Sequence, residues 1–254
     1  MRVSLIQMNV TESKADDLAR AAALSERAEG ADIIMLPEMF CCPYNGRAFR
    51  ENAEPFGGAV TDALREIALR RGACVIGGSM PELDGGRIFN TSFVFDKNGG
   101  LIARHRKAHL FDVDIEGGQR FFESETLSKG EGATVFRLGD CRVGLAVCFD
   151  VRFSSFINAM HADILAVPAA FNMTTGPMHW ELLFRARAVD GQCFAFGCAP
   201  ARDDGAPYVS YAHSIAVDPW GRVIADAGAG ETVLNVEIDT ETVGSVRRQI
   251  PIGL

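Results

Sequence analysis

Val143-Gly-Leu-Ala-Val-Cys148-Phe-Asp150-Val-Arg152-Phe153 is an aliphatic run that stops at a cysteine and continues into charged residues. Roughly four to eight apolar residues bounded by charge suit a strand buried on both faces, and functional groups gather where such strands end. Cys148 occupies that end. Taken alone it reads more readily as a small buried hydrophobe, because free cysteines are among the most buried residue types.

Outward from this stretch, Thr134 to Leu138 and Cys141 to Val147 read as strands, a short helix follows Arg152, and Asp163 to Val167 is a further strand. Phe171-Asn-Met-Thr-Thr-Gly-Pro177 leads into a helix around Trp180 to Val189. Beyond it Gln192 to Cys198, Ser210 to Val217 and Val233 to Ile238 read as strands, with a turn at Asp218-Pro-Trp-Gly221. The first half has the same grammar. Val3 to Met8 is a strand, Ser13 with Asp16 opens a helix that closes at Gly30, and Asp32 to Pro37 is a strand followed at once by Glu38. Gly57-Gly58 precede a helix with Val60, Leu64, Ile67 and Ala68 at helical spacing and Gly72 as its stop, before a strand from Cys74 to Gly77. Arg87 to Phe95 and Leu101 to Arg106 flank Asp96-Lys-Asn-Gly-Gly100, a hairpin signature, so the sheets are mixed. A long irregular loop then runs from Lys107 through Glu123 to Gly130, and loops of that length inside a compact domain are usually functional. The β-α-β order predicts the α/β class. Without internal repeat, low-complexity segment or linker, residues 1–254 are expected to form a single domain.

Composition narrows the function. With 254 residues and 48% hydrophobic content the chain can bury a sizeable core. Its 25 basic against 33 acidic residues give a formal charge of −8, which repels nucleic acid and anionic membrane surfaces. The N-terminal stretch turns polar too soon for a signal peptide, and there is no apolar run of about 18 residues, so a cytoplasmic protein is expected. Seven cysteines without a Cys-x-x-Cys pair fit reduced thiols better than disulfides or zinc. His105, His109, His161, His179 and His213 lack paired metal-ligand spacing and read as structural, and Trp180 and Phe184 read as core or subunit contact.

Read together, Leu36-Pro37-Glu38-Met39-Phe40, Arg106-Lys107-Ala108-His109-Leu110-Phe111-Asp112, Phe122-Glu123-Ser124 and Cys148-Phe149-Asp150-Val151-Arg152-Phe153 resemble the Glu-Lys-Cys triad, with its common second glutamate, of the nitrilase (carbon–nitrogen hydrolase) superfamily. Order and spacing agree across essentially the whole chain. Pro168-Ala-Ala-Phe171-Asn-Met-Thr-Thr-Gly176-Pro-Met-His-Trp180, Arg187-Ala-Val-Asp190 and Pro200-Ala-Arg-Asp203 look most like the omega-amidase branch. Phe149 stands where the family usually has tyrosine, and Ser154-Ser155 replaces a common Pro-Glu or Ala-Glu.

The resemblance implies a four-layer α-β-β-α sandwich, a homodimer through outer helices, and amide hydrolysis through a thioester without metal or organic cofactor. Glu38 would take the proton of Cys148, Lys107 with a backbone N–H near Phe149 would hold the oxyanion, and Glu123 would orient the leaving nitrogen. The implied substrate is a small carboxylic acid with a terminal amide, such as 2-oxoglutaramate or 2-oxosuccinamate. Arg152 is the expected carboxylate partner, with Tyr44, Phe171 and Phe149 as pocket walls. The alternative for Arg152 is a structural ion pair with Asp150 or another acid. Other superfamily amidases, acting on deaminated glutathione or N-carbamoyl compounds, remain alternatives within the class. A non-catalytic interaction protein, or a redox protein resolving Cys148 with Cys193 or Cys198, are the alternatives outside it.

Overall fold

Residues 1–252 are described by a computed structural model. The chain opens with β1 (Arg2–Gln7), α1 (Lys14–Ser25), β2 (Ile33–Met35), α2 (Gly46–Asn52), α3 (Ala59–Arg71), β3 (Cys74–Ile76), β4 (Met80–Asp84), β5 (Arg87–Phe95) and β6 (Leu101–Arg106). β7 (Asp112–Asp114) and β8 (Arg120–Phe122) form a small hairpin of their own. The second half holds β9 (Thr134–Leu138), β10 (Cys141–Leu145), α4 (Ser154–Asn158), β11 (Ile164–Pro168), α5 (Gly176–Gly191), β12 (Phe194–Cys198), β13 (Ile215–Val217), β14 (Val223–Asp226), β15 (Thr232–Glu237) and α6 (Glu241–Gln249).

Two large mixed sheets result. The first runs β15-β1-β2-β3-β5-β4 with β6 on β5, and the second runs β14-β13-β12-β11-β10-β9. Neighbouring residues of one strand go to different layers, as the two-residue period of a strand requires. Ile33 and Met35 of β2 face the second sheet, where they join Val143, Leu145, Ile164 and Phe196, while Ile34 and Leu36 pack under α1 and α3 with Leu24, Leu64 and Ile67. On the far side Leu165, Val167 and Ala195 pack against Ile157 of α4 and Trp180 and Phe184 of α5. Strands covered on both faces explain the continuous apolar runs, and the layers are α-β-β-α, as expected.

Most predicted elements form, with informative differences. Ser13 caps α1 by accepting from the Asp16 N–H, but the helix ends at Ser25 and not at Gly30, because the chain unwinds through short turns before Gly30 adopts φ 64°. Gly58 and Gly72 bound α3 as read. The predicted strand from Ser210 contracts to Ile215–Val217, since Ala212 and His213 have positive φ. The run from Cys141 leaves the sheet after Leu145, two residues short of Val147. The loop from Lys107 to Gly130 contains the β7–β8 hairpin, and α2, β4, β14 and α6 have no counterpart in the sequence reading. β4 contains Pro81, β14 is largely exposed, and α2 and α6 each bury only two residues, so the apolar period that marks a longer element is too brief. Trp180 and Phe184 are core, as read. Among the described residues no helix is long and apolar enough to cross a membrane.

Candidate active site

Four of the expected side chains meet at one end of the paired sheets. Glu38 is delivered by the segment after β2. The Leu36 and Pro37 backbone just before it lies against Gly78, whose φ of 56° and whose approach to the Pro37 carbonyl leave no room for a Cβ. Lys107 follows β6, pinned by its N–H to the Asn90 carbonyl at 2.8 Å. Glu123 opens a 3-10 turn after β8. All three are essentially inaccessible to solvent. Lys107 Nζ stands 2.9 Å from Glu38 Oε1 and 2.9 Å from Glu123 Oε2. Burial alone pushes the Lys107 ammonium down, but Glu123, Glu38 and Cys148 outweigh it and the net shift is upward, so the lysine stays charged.

Cys148 arrives from the second sheet, at the start of a 3-10 turn spanning Cys148–Arg152 with φ 45° at the cysteine itself. Non-glycine residues at positive φ are uncommon and concentrate at functional sites. Glu38 is the neighbouring carboxylate: burial and then Glu38 raise the Cys148 thiol well above its ordinary value, with Lys107 opposing. Burial also raises Glu38, Lys107 lowers it, and Glu123 adds to the rise. Glu38 Oε1 accepts from Lys107 and from Asn90 Nδ2 at 2.8 Å, with the Tyr44 hydroxyl oxygen 3.2 Å away, while Oε2 is buried without a partner. A thiol beside an unpartnered carboxylate oxygen has a base ready for its proton. The Phe149 N–H, early in its turn, has no acceptor among the described residues, and such orphan donors suit an oxyanion.

Glu123 joins the cluster through both oxygens. Its Oε1 accepts from the Tyr44 hydroxyl at 2.6 Å and from Lys107 at 3.1 Å, and its Oε2 from the Phe111 N–H at 2.7 Å. With both oxygens engaged, it supports Lys107 and Tyr44 and has little left for a leaving group. Tyr44 is accordingly more than a wall, since its hydroxyl joins the same network while its ring stacks on Tyr208 at 4.6 Å.

Arg152 does not pair with Asp150. That carboxylate is saturated: Oδ2 accepts from the Val147 N–H at 3.0 Å and faces His105 Nε2 at 2.9 Å, while Oδ1 accepts from the His109 N–H at 2.9 Å and faces His109 Nδ1 at 2.8 Å. Burial pulls the Asp150 carboxyl upward, but the histidines and the Val147 N–H reverse that and hold it below its ordinary value. Arg152 is left with its guanidinium 5.2 Å from the Phe171 ring centre and 5.5 Å from that of Phe149, Nη2 near His179 Nδ1 at 3.2 Å, and Nε buried without a partner. Burial lowers its pKa and Cys148 opposes this.

Two spaces meet here. Cys148, Phe149, Arg152 and Phe171 line a narrow crevice of about 10 Å³, and a cavity of about 430 Å³ reaches Glu38, Tyr44 and Phe121. Ala170 and Tyr208 line both, with the Tyr208 hydroxyl donating to the Ala170 carbonyl. The sequence reading missed Tyr208, and it took His105 and His109 as structural without pairing them with Asp150. The alternation His105-x-Lys107-x-His109 was the available signal for the histidines. All seven cysteines are free; burial drives Cys193 up to about 12 and raises Cys198, whose thiol faces the Ile6 and Met35 carbonyls, so both are poor resolving thiols.

Relatives share the sequence over nearly its full length and share the fold. Omega-amidase NIT2 of Xenopus tropicalis is 47% identical over 99% of this chain and 93% of that protein. Omega-amidase NIT2 of Homo sapiens is 44% identical with the same coverage. The crystal structure of Saccharomyces cerevisiae Nit3, a member of branch 10 of the nitrilase superfamily, superposes with a TM-score of 0.92 at 36% identity, covering 100% of this chain and 95% of that one. Since residues 2–248 also match the family described as carbon-nitrogen hydrolase, the chain belongs to that family.

Proposed function

We propose that this protein is an omega-amidase, a cysteine amidohydrolase that releases ammonia from a small carboxylic acid carrying a terminal amide, 2-oxoglutaramate or 2-oxosuccinamate. The unneutralised Arg152 guanidinium beside Cys148 is the observation that carries the substrate class. A planar guanidinium can clamp a carboxylate bidentately and hold the far amide carbonyl over the thiol. Glu38 Oε2 takes the Cys148 proton as sulfur attacks the carbonyl carbon, and Lys107 and the Phe149 N–H hold the oxyanion. Collapse breaks the C–N bond, Glu38 returns the proton to the leaving ammonia, and water activated by Glu38 hydrolyses the thioester. Glu123 acts through Lys107 and Tyr44.

The crevice alone is smaller than such an acid, and the adjoining cavity that shares Ala170 and Tyr208 as walls supplies the remaining room. The whole chain works as one catalytic unit, because each sheet supplies part of the site. A second copy is the partner of the exposed α5 face, where Met178 (74% exposed) and Leu182 (63%) lie one turn apart beside the Glu181–Arg185 pair. The acidic charge and free thiols suit the cytoplasm.

Ammonia release from the two oxo acids, neutral amides of similar length, a carbamoyl compound and a nitrile tests the reading, with Cys148→Ala as the blank. Losing a charge-assisted hydrogen bond costs roughly 1.5–3 kcal/mol, so Arg152→Met is expected to lower kcat/KM for the acids at least about tenfold and to spare neutral amides. Equal loss on both would make Arg152 structural, and preference for the carbamoyl compound or nitrile would move the protein to another branch.

A further inference from the structure

We propose that Asp150, clamped by His105 and His109, is the positioning device that sets Cys148 against Lys107, a role that rests on the amidase reading above. Lys107 leaves the first sheet and Cys148 leaves the second, and no shared element joins the two segments. His105 and His109 stand two residues to either side of Lys107. Asp150 stands two residues beyond Cys148 and its side chain is fully buried. Four donors converge on its carboxylate, two from the Lys107 segment's imidazoles, one from that segment's backbone at His109, and one from Val147 in the Cys148 turn.

Geometry assigns the tautomers. A carboxylate only accepts, so His105 donates from Nε2 and His109 from Nδ1. His105 Nδ1 then accepts from the Thr134 hydroxyl at 3.0 Å, which ties the same ring to β9 of the second sheet. His109 is braced by Phe153, stacked at 3.6 Å between ring centres, and by the edge of Phe156. Both neighbours of the reacting pair are thus locked to one carboxylate. The Val147 bond also spans the cysteine, holding the turn in which Cys148 keeps its positive φ. Because these donors fill Asp150, it is not free to quench Arg152, and the clamp keeps that guanidinium available.

Asparagine at this position keeps the shape but replaces one accepting oxygen with an NH₂ that faces N–H donors. A misplacement of about 1 Å can cost on the order of 100-fold. Asp150→Asn is therefore expected to lower kcat at least about tenfold with KM within about threefold of the parent. Iodoacetamide capture of Cys148, followed by peptide mass, should slow in parallel, and that readout stands whichever amide is the substrate. Since Asp150 is buried, a second pair guards against misfolding: His109, whose side chain is 29% exposed, is changed to Asn, which keeps a donor near the Nδ1 position, or to Leu, which does not. His109→Asn should retain kcat within about threefold, and His109→Leu should lose it at least about tenfold at an unchanged thermal midpoint. Parental kcat and capture rate in Asp150→Asn, or equal behaviour of the two His109 variants, overturns the proposal.

Discussion

At Glu38 the carboxylate and its electrostatic environment are built from the same contacts. Burial raises its pKa from an ordinary 4.5, Lys107 pulls it back and Glu123 pushes it up again, with the net shift upward. With Glu38 as the proposed base, the carboxylate form is the active one, and activity is lost as pH falls through this raised value. The acid limb of kcat/KM is expected above 4.5, and Glu38→Gln should remove the limb together with most of the rate, since an amide cannot accept the thiol proton. A limb at or below 4.5 would assign the base elsewhere. Glu38, Lys107, Glu123 and Cys148 were readable as residues because each belongs to a short motif beside a strand end. Asp150, His105 and His109 were not, because each has an ordinary structural reading until the two sheets bring them within hydrogen-bond reach.

Elements divide in the same way. The strands of the two central layers announce themselves, since both faces are buried and the apolar run is unbroken, and α3 declares both ends through Gly58 and Gly72. Those at the rim do not: α2 rests on Ala48 and Phe49 alone, although Asn45, which caps it by accepting from the Ala48 N–H at 2.8 Å, was a usable signal. The outer face of α5 poses a different question, because Met178, Leu182 and Val189 fall at steps of four and seven residues and remain exposed. In a two-fold pairing of this helix with itself, apolar residues meet and each Glu181 can face an Arg185. The double change Met178→Glu and Leu182→Glu is expected to yield folded monomer in sedimentation, with the melting temperature then independent of protein concentration. An unchanged mass would place the contact on another face.

Across the whole molecule, the first sheet supplies Glu38 and Lys107 and the second supplies Cys148 and Arg152. Such a division was open to inference from motif order, but its location was not, since the docking of two sheets depends on side-chain packing that strand patterns leave unspecified. It also means that the covalent continuity of the chain is incidental to the chemistry. Between Gly130, whose N–H is held by the Lys107 carbonyl at 2.8 Å, and β9 lie the exposed residues Glu131, Gly132 and Ala133. A polypeptide cut there yields one piece with Glu38, Lys107 and Glu123 and another with Cys148 and Arg152. The second piece also holds β15, the strand that covers β1. Each is expected to be inert alone, and mixing should restore amide turnover through fragment complementation, with an apparent dissociation constant read from the titration of one piece into the other. Turnover by the cysteine-bearing piece alone, or a co-eluting but inactive pair, would show that the divided site does not govern the reaction.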